Sequence, residues 1–344
     1  MLKFFKASAG AAAGAAIALA LSTGGALAQT ELTYSSWIPW THPVNLNIYI
    51  PWMEAIEKES NGRIKFKRLP KPVASPPAHL DAVRSGQVDV AFSVHGYAPQ
   101  LFAAYTFAEH PLLGETAVVT SVALQRTYEK FLADGPAYAG VHVIGMNTHG
   151  PGHINHTKKN ILVPADMEGQ KIRTGGPIPK AIVEAWGGVS ISQPSSKSYE
   201  ILSTGIADGI TFPYESVLSF NLLDVAKYTT EIPGGLYSST HYLVMNEAKY
   251  NSLSDEDKAV IDKFSGEAFA RLAGEGWDRI NQNGYEKAVA NGNTIMPPSE
   301  EMMESIKELK KGFEADYIAK AKGVDGAAIL AYFKEEVAKL MAGN

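Results

Sequence analysis

The chain contains no cysteine. That excludes disulfides, zinc–thiolate sites, thiol catalysis and thiol redox chemistry. The short motifs of common hydrolases are also missing, with no Gly-x-Ser-x-Gly elbow and no His-Glu-x-x-His pair. No glycine-rich loop has the spacing of a phosphate cradle. Beyond residue 28 no stretch is apolar for the length a membrane span needs. Positive charge is not in excess either. The formal net charge is −5, which argues against nucleic acid as a partner. There is no internal repeat and no low-complexity tail.

What is present begins at the N-terminus. Lys3 and Lys6 make a short positive region, an Ala/Leu-rich stretch runs from Ala11 to Leu21, and Ala26-Leu27-Ala28 offers a small-x-small cleavage site. This three-part pattern predicts a secretory signal peptide over residues 1–28 and a periplasmic mature protein. Gly14 and Ser22-Thr23-Gly24-Gly25 interrupt the apolar run, so it suits a cleaved leader better than a spanning helix. The segment carries two lysines and no acid. Its removal leaves the exported chain two units more negative. An exported protein without disulfides must rely on its cores, and this length suits two lobes.

Strand and helix signals alternate along the chain. Leu32–Trp37, the strictly alternating Arg63–Leu69, Val88–Val94, Val141–Met146, Gln170–Arg173, Gly209–Phe212 and His241–Met245 read as strands. Leu46–Ser60, His79–Ser85, Pro179–Trp186 and Ser198–Ser203 read as helices. Asn61-Gly62 supplies a left-handed cap to the first of them. Ser254-Asp255-Glu256-Asp257 is a capping sequence, and the helical pattern after it runs to about Asn291. That is long for a globular helix and long enough to span two lobes. Further helices are expected over Ser299–Ile318 and Ala327–Met341. The fold class is α/β.

Four segments, in order, carry a resemblance. They are Thr41-His42-Pro43 with Glu59-Ser60-Asn61-Gly62-Arg63-Ile64; Ala82 to Val90; Pro164 to Arg173; and Gly205-Ile206-Ala207-Asp208-Gly209 followed by Pro213. Together, behind a signal peptide and over nearly the whole mature chain, they resemble the solute-binding proteins of tripartite ATP-independent periplasmic (TRAP) transporters. The resemblance implies a two-lobe periplasmic-binding-protein fold with a ligand cleft between the lobes and a long helix bridging both. It implies partners, namely a small organic acid and the small and large integral-membrane subunits of a permease, and no cofactor. The expected division is 29–149 plus 238–277 for the first lobe and 150–237 plus 278–344 for the second.

Arg173 is the first candidate for binding. It ends an expected strand and precedes Gly175-Gly176-Pro177, so it faces a loop mouth. Its planar fork matches a carboxylate with two parallel hydrogen bonds. The family's signature arginine follows the same Gly-x-Lys-Ile run and grips a ligand carboxylate. Two departures from the family pattern narrow the ligand. Where sugar-acid and dicarboxylate binders carry an asparagine before the proline, this chain has Phe212, followed by Pro213 and Tyr214. Where many members carry a second arginine, the loop reads Asn147 to His153, with His149 or His153 in about that place. One fixed positive charge points to a monocarboxylate.

Trp37, Trp40, His95, Tyr97 and Tyr237 also follow strands, where cleft residues belong, and offer flat apolar walls with polar tips. An aromatic acid such as benzoate or hydroxybenzoate fits that set. Trp52 and Trp186 are read as core. His149, His153 and His156 lie close in sequence but lack a carboxylate companion, so no metal is expected. Rival ligands are a small aliphatic oxo- or hydroxy-acid, or an ectoine-like zwitterion held by cation–π attraction. Rival classes are an exported hydrolase, the ligand-binding subunit of a sensor, and the binding protein of an ATP-driven importer.

Overall fold

The computed structural model describes Met1, residues 29–321 and residues 323–343. The expected signal peptide lies outside the described residues. Among those residues the strands form two sheets. The first holds β1 (Thr30–Ser35), β2 (Ile64–Arg68), β3 (Val90–Val94), β4 (Val141–Thr148) and β10 (Thr240–Asn246), in the order β2-β1-β3-β10-β4. The second holds β5 (His153–His156), β6 (Lys171–Thr174), β7 (Val189–Ser192), β8 (Gly209–Phe212), β9 (Tyr228–Thr230) and β11 (Thr294–Met296), in the order β11-β9-β5-β8-β6-β7.

Each sheet is mostly parallel but contains one strand brought in by the chain's crossing between lobes. β10 runs antiparallel between β3 and β4, and β5 runs antiparallel between β8 and β9. Both faces of both sheets are covered. In the first lobe Leu32, Trp52, Phe92 and Phe269 share one core, and Ala91, Phe102, Leu124 and Phe333 the other. In the second, Ile172 and Ile182 pack with Ile306, while Ile201, Ile210 and Leu222 fill the opposite face. Two-sided burial explains why β3 and β8 are buried at every position and read as unbroken runs. This is the two-lobe α/β fold expected.

The helix Ile50–Glu59 buries Trp52, Met53 and Ile56 on the first sheet. It opens with a π-helical stretch, Asn45–Tyr49. Asn61 and Gly62 close it at φ 50° and 78°, the left-handed geometry that favours glycine and tolerates asparagine. Trp52 and Trp186 are core residues, as expected.

Several elements differ from the sequence reading. The single helix expected from 254 to 291 is two helices, Asp255–Lys263 and Gly266–Ala290, broken where Gly266 takes φ 59°. The helix Ala117–Phe131 was not expected. Its buried face includes Thr120, Ser121, Gln125 and Thr127, which blurs the apolar period. Those side chains serve β4, since Gln125 Oε1 accepts from Met146 N at 2.7 Å and Ser121 Oγ from Thr148 N at 2.9 Å. The last helix, Gly326–Met341, packs through Ile329 and Phe333 on the first lobe's core. The expected assignment of everything after 278 to the second lobe therefore does not describe it.

The long helix Gly266–Ala290 crosses between lobes. It packs on helix Ala117–Phe131 and β4 of the first lobe and on helix Tyr214–Ser219 of the second. Its glycines make those approaches possible. A Cβ at Gly274 would overlap Val118 Cα, and one at Gly284 would sit 2.5 Å from Tyr214 C and O. Glycine in a helix interior normally gives way to alanine with a gain of about 1 kcal/mol. Here the sign reverses. Gly274→Ala and Gly284→Ala should each lower stability by about 1–3 kcal/mol through overpacking. Denaturant midpoints check this, and an alanine variant as stable as the parent contradicts it.

Candidate functional site

The lobes meet over the carboxyl ends of their parallel strands, where ligands of open α/β sheets bind. They are in close contact there. Tyr97 Oη, after β3, accepts from Ser195 N of the second lobe at 2.9 Å. Gly96 faces Gly175 and Gly176 so closely that a Cβ on Gly96 would lie 2.9 Å from Gly175 O. His42, in the loop after β1, packs its ring 5.1 Å from that of Phe220. Between these contacts lies a chamber of about 50 Å³, against roughly 10–15 Å³ for one water.

Arg173, on β6, lines the chamber and is 1% exposed. Its Nε and Nη2 donate to Gln193 O at 2.9 and 2.6 Å, and it makes no ion pair among the described residues. Phe212, at the end of β8, lies under the guanidinium with Cζ 4.8 Å from the ring centroid. Gly175 leaves room for the fork, since a Cβ there would press within 3.3 Å of Nη2. Burial pulls the guanidinium below its usual value while Tyr97 and Tyr237 beside it favour the charged form. Arginine stays charged in such settings.

Tyr237 enters from the segment that leads back to the first lobe. Gly152 and residues 236–237 pair across the crossing, with Gly152 N donating to Tyr237 O at 2.9 Å and Leu236 N to Gly152 O at 2.8 Å. A Cβ at Gly152 would overlap the Tyr237 ring, so this glycine lets the ring lie flat. Tyr237 Oη donates to Thr211 O at 2.8 Å. His149 stands edge-on to Tyr237 and accepts from Ser239 N through Nε2 at 3.1 Å. Burial lowers the His149 pKa to about 4 despite a contact to Gly150 O, and Arg173 pushes the same way. Trp37 stacks near Phe92 with centroids 5.1 Å apart.

Of the sequence-predicted site residues, Arg173, Trp37, Tyr97, His149, Phe212 and Tyr237 line this one chamber. Four expected residues do not. Trp40 faces away, donating Nε1 to Leu69 O at 2.7 Å under Arg68. His95 is buried in an aromatic core, stacked on Tyr105 and bonded to Tyr138. His153 lies on β5 and accepts from Ile232 N at 3.2 Å. The loop expected around it is a strand, and alternation turns the side chain away. Tyr214 packs between His153 and Tyr285 against the long helix. Nor do His149, His153 and His156 converge, because His156 bonds Gln170 instead.

The reading also missed chamber residues. His42, Phe92, Glu215, Phe220, His241 and Trp277 all line it. Trp277 sits mid-way along the bridging helix, its Nε1 donating to Asn147 Oδ1 at 2.8 Å. A tryptophan at the centre of a helix expected to span both lobes was the available signal for a cleft floor. His42 lies inside one of the resemblance segments and His241 begins an expected strand, but neither pattern gives side-chain direction.

Residues 35–319 match the family model described as bacterial extracellular solute-binding protein, family 7. The chain belongs to that family. A TRAP periplasmic solute-binding protein of Bordetella bronchiseptica, solved with bound (R)- and (S)-mandelate, is 41% identical, with a TM-score of 0.87 over 90% of this chain and 99% of that one. A marine-metagenome TRAP solute-binding protein described as specific for aromatic acid ligands, in complex with metahydroxyphenylacetate, is 33% identical, with a TM-score of 0.85 over 90% of this chain and 99% of its own. A TRAP solute-binding protein of Rhodoferax ferrireducens with copurified benzoate is 25% identical, with a TM-score of 0.86 over 91% and 99%. This family-7 chain is therefore a TRAP solute-binding protein of the extracytoplasmic kind, a transport component and not an enzyme.

Proposed function

We propose that this family-7 protein captures an aromatic monocarboxylate in the periplasm, after removal of residues 1–28, and delivers it to the small and large membrane subunits of a TRAP permease. One observation carries the reading. The chamber's only arginine or lysine among the described residues is Arg173, buried without an ion partner and flanked by aromatic rings. A buried charge without a partner is costly, and a ligand carboxylate supplies the partner. The chamber histidines are held neutral by burial, so a second ligand carboxylate would find no counter-charge. Aromatic walls at Trp37, Phe92 and Trp277 suit a ring. The solved relatives carry mandelate, metahydroxyphenylacetate and benzoate, which supports the same ligand class here.

A thermal-shift screen tests the proposal. Benzoate, mandelate and 3-hydroxyphenylacetate should raise the melting temperature by several degrees, since saturation at about 100 Kd stabilises by ~2.7 kcal/mol. Glucuronate and succinate should leave it unchanged. A shift with those two and none with the aromatic acids would overturn the choice of ligand.

A further inference from the structure

Glu215 is a carboxyl group in the chamber wall with no cationic partner among the described residues. It stands in the first turn of the helix Tyr214–Ser219, directly after the β8 turn that carries Phe212, and is 1% exposed. Asn281 of the bridging helix fixes this turn by accepting from Glu215 N at 3.2 Å. Glu215 Oε2 accepts from Ser216 Oγ at 2.7 Å, but Oε1 makes no hydrogen bond. Burial raises the group to about 7, with Ser219 and Ser216 pulling the other way. Ser219 Oγ itself closes no bond. Elsewhere in the chamber lining His42 Nε2 and Trp37 Nε1 are also buried without partners. Burial lowers His42 to about 4, so its ring is neutral.

A plain apolar ring in this chamber would leave all of these atoms unsatisfied. Each buried polar atom left so costs roughly 1–3 kcal/mol. A second carboxylate on the ligand would meet Glu215 as a like charge. A hydroxyl both donates and accepts, which answers both kinds of orphan in the chamber lining, the Glu215 Oε1 acceptor and the His42 and Trp37 N–H donors.

We propose that Glu215, with His42 in the same chamber lining, is a second polar subsite that takes a hydroxyl group of the ligand, so that the protein selects hydroxylated aromatic acids over their unsubstituted parents. This rests on the acid-capture function proposed above. Arg173 sets that a carboxylate binds, and Glu215 sets which carboxylate. Sites built to hydrogen-bond a hydroxyl reject analogues lacking it more strongly than apolar pockets reject a missing methylene.

Calorimetric titration of matched pairs tests the assignment, with 3- and 4-hydroxybenzoate against benzoate, and mandelate and 3-hydroxyphenylacetate against phenylacetate. In the wild-type chain at least one hydroxylated acid should bind ten-fold or more tightly than its parent. In Glu215→Leu that ratio should collapse towards one, and Glu215→Gln, which keeps an acceptor of the same shape, should retain part of it. Equal affinities across every wild-type pair overturn the proposal without any variant. So does a wild-type preference that survives unchanged in both variants. Binding of no member of the panel would instead overturn the acid-capture reading, and this proposal with it.

Discussion

Arg173→Ala weakens every carboxylate ligand by roughly 10²- to 10⁴-fold. The magnitude follows from two charge-assisted hydrogen bonds at about 1.5–3 kcal/mol each, made by a guanidinium that is 1% exposed. Arg173→Lys should recover little of the loss. A lysine cannot stack its head on Phe212, donate two bonds to Gln193 O and still present a flat pair of donors to the ligand. The fold should survive both changes, because the guanidinium joins no ion pair among the described residues and its bonds go to one carbonyl. Calorimetry with benzoate, run beside a melting curve, separates lost binding from lost structure. A folded alanine variant within ten-fold of wild-type affinity would remove Arg173 from this role.

How far the site was legible depends on what positions each residue. Arg173 and Phe212 sit at the ends of strands whose sequence signals were clear, and the register of β6 beside β8 places both at the cleft. Tyr97 and Tyr237 were legible for the same reason. His153 shows the limit. It lies three residues from Gly150, but β5 pairs antiparallel with β8 and β9, and no local pattern announced that strand. A shift of one residue in a strand turns a side chain to the opposite face. Glu215 was invisible for a different reason. A buried acid without a cation is improbable on composition alone, and only the packing of helix Tyr214–Ser219 on the glycine face of the bridging helix puts it there. The architecture itself was easier to read, because alternating strands and helices are local signals. The final helix returned to the first lobe through contacts distant in sequence.

The melting temperature should be level above about pH 7 and fall by on the order of ten degrees between pH 6.5 and 5, at about 2–4 °C per kcal/mol. All nine histidines are held below their ordinary value, with burial the leading cause in every case. His42 and His149 fall to about 4, and His95, His110 and His153 to about 3. Lys310 and Lys334 add to the effect at His110, whereas Asp262 and Glu247 oppose it at His142. A depressed folded-state value means that the unfolded chain takes up protons first, from about pH 6.5 downward. Each such group therefore contributes stability that is present above 6.5 and is lost as pH falls towards its folded value, at up to ~1.4 kcal/mol per pH unit. Buried Glu109 and Glu215 act in the opposite sense, being raised to about 7. Their contribution is full below about 4.5 and is lost as pH rises through 7. Two carboxyls offset part of the histidine loss below neutrality, but six strongly lowered histidines, His241 among them, outweigh them. The carboxyl contribution changes only between about 4.5 and 7, so above about 7 neither set of groups exchanges protons on unfolding and the profile levels off. Melting curves at fixed ionic strength from pH 8 to 5 decide the matter, and a flat profile from 7 to 5 would mean that the histidines are hydrated in the folded protein. Glu215→Gln should steepen the fall between pH 6.5 and 5, because it removes one of the two carboxyls that offset the histidine loss there.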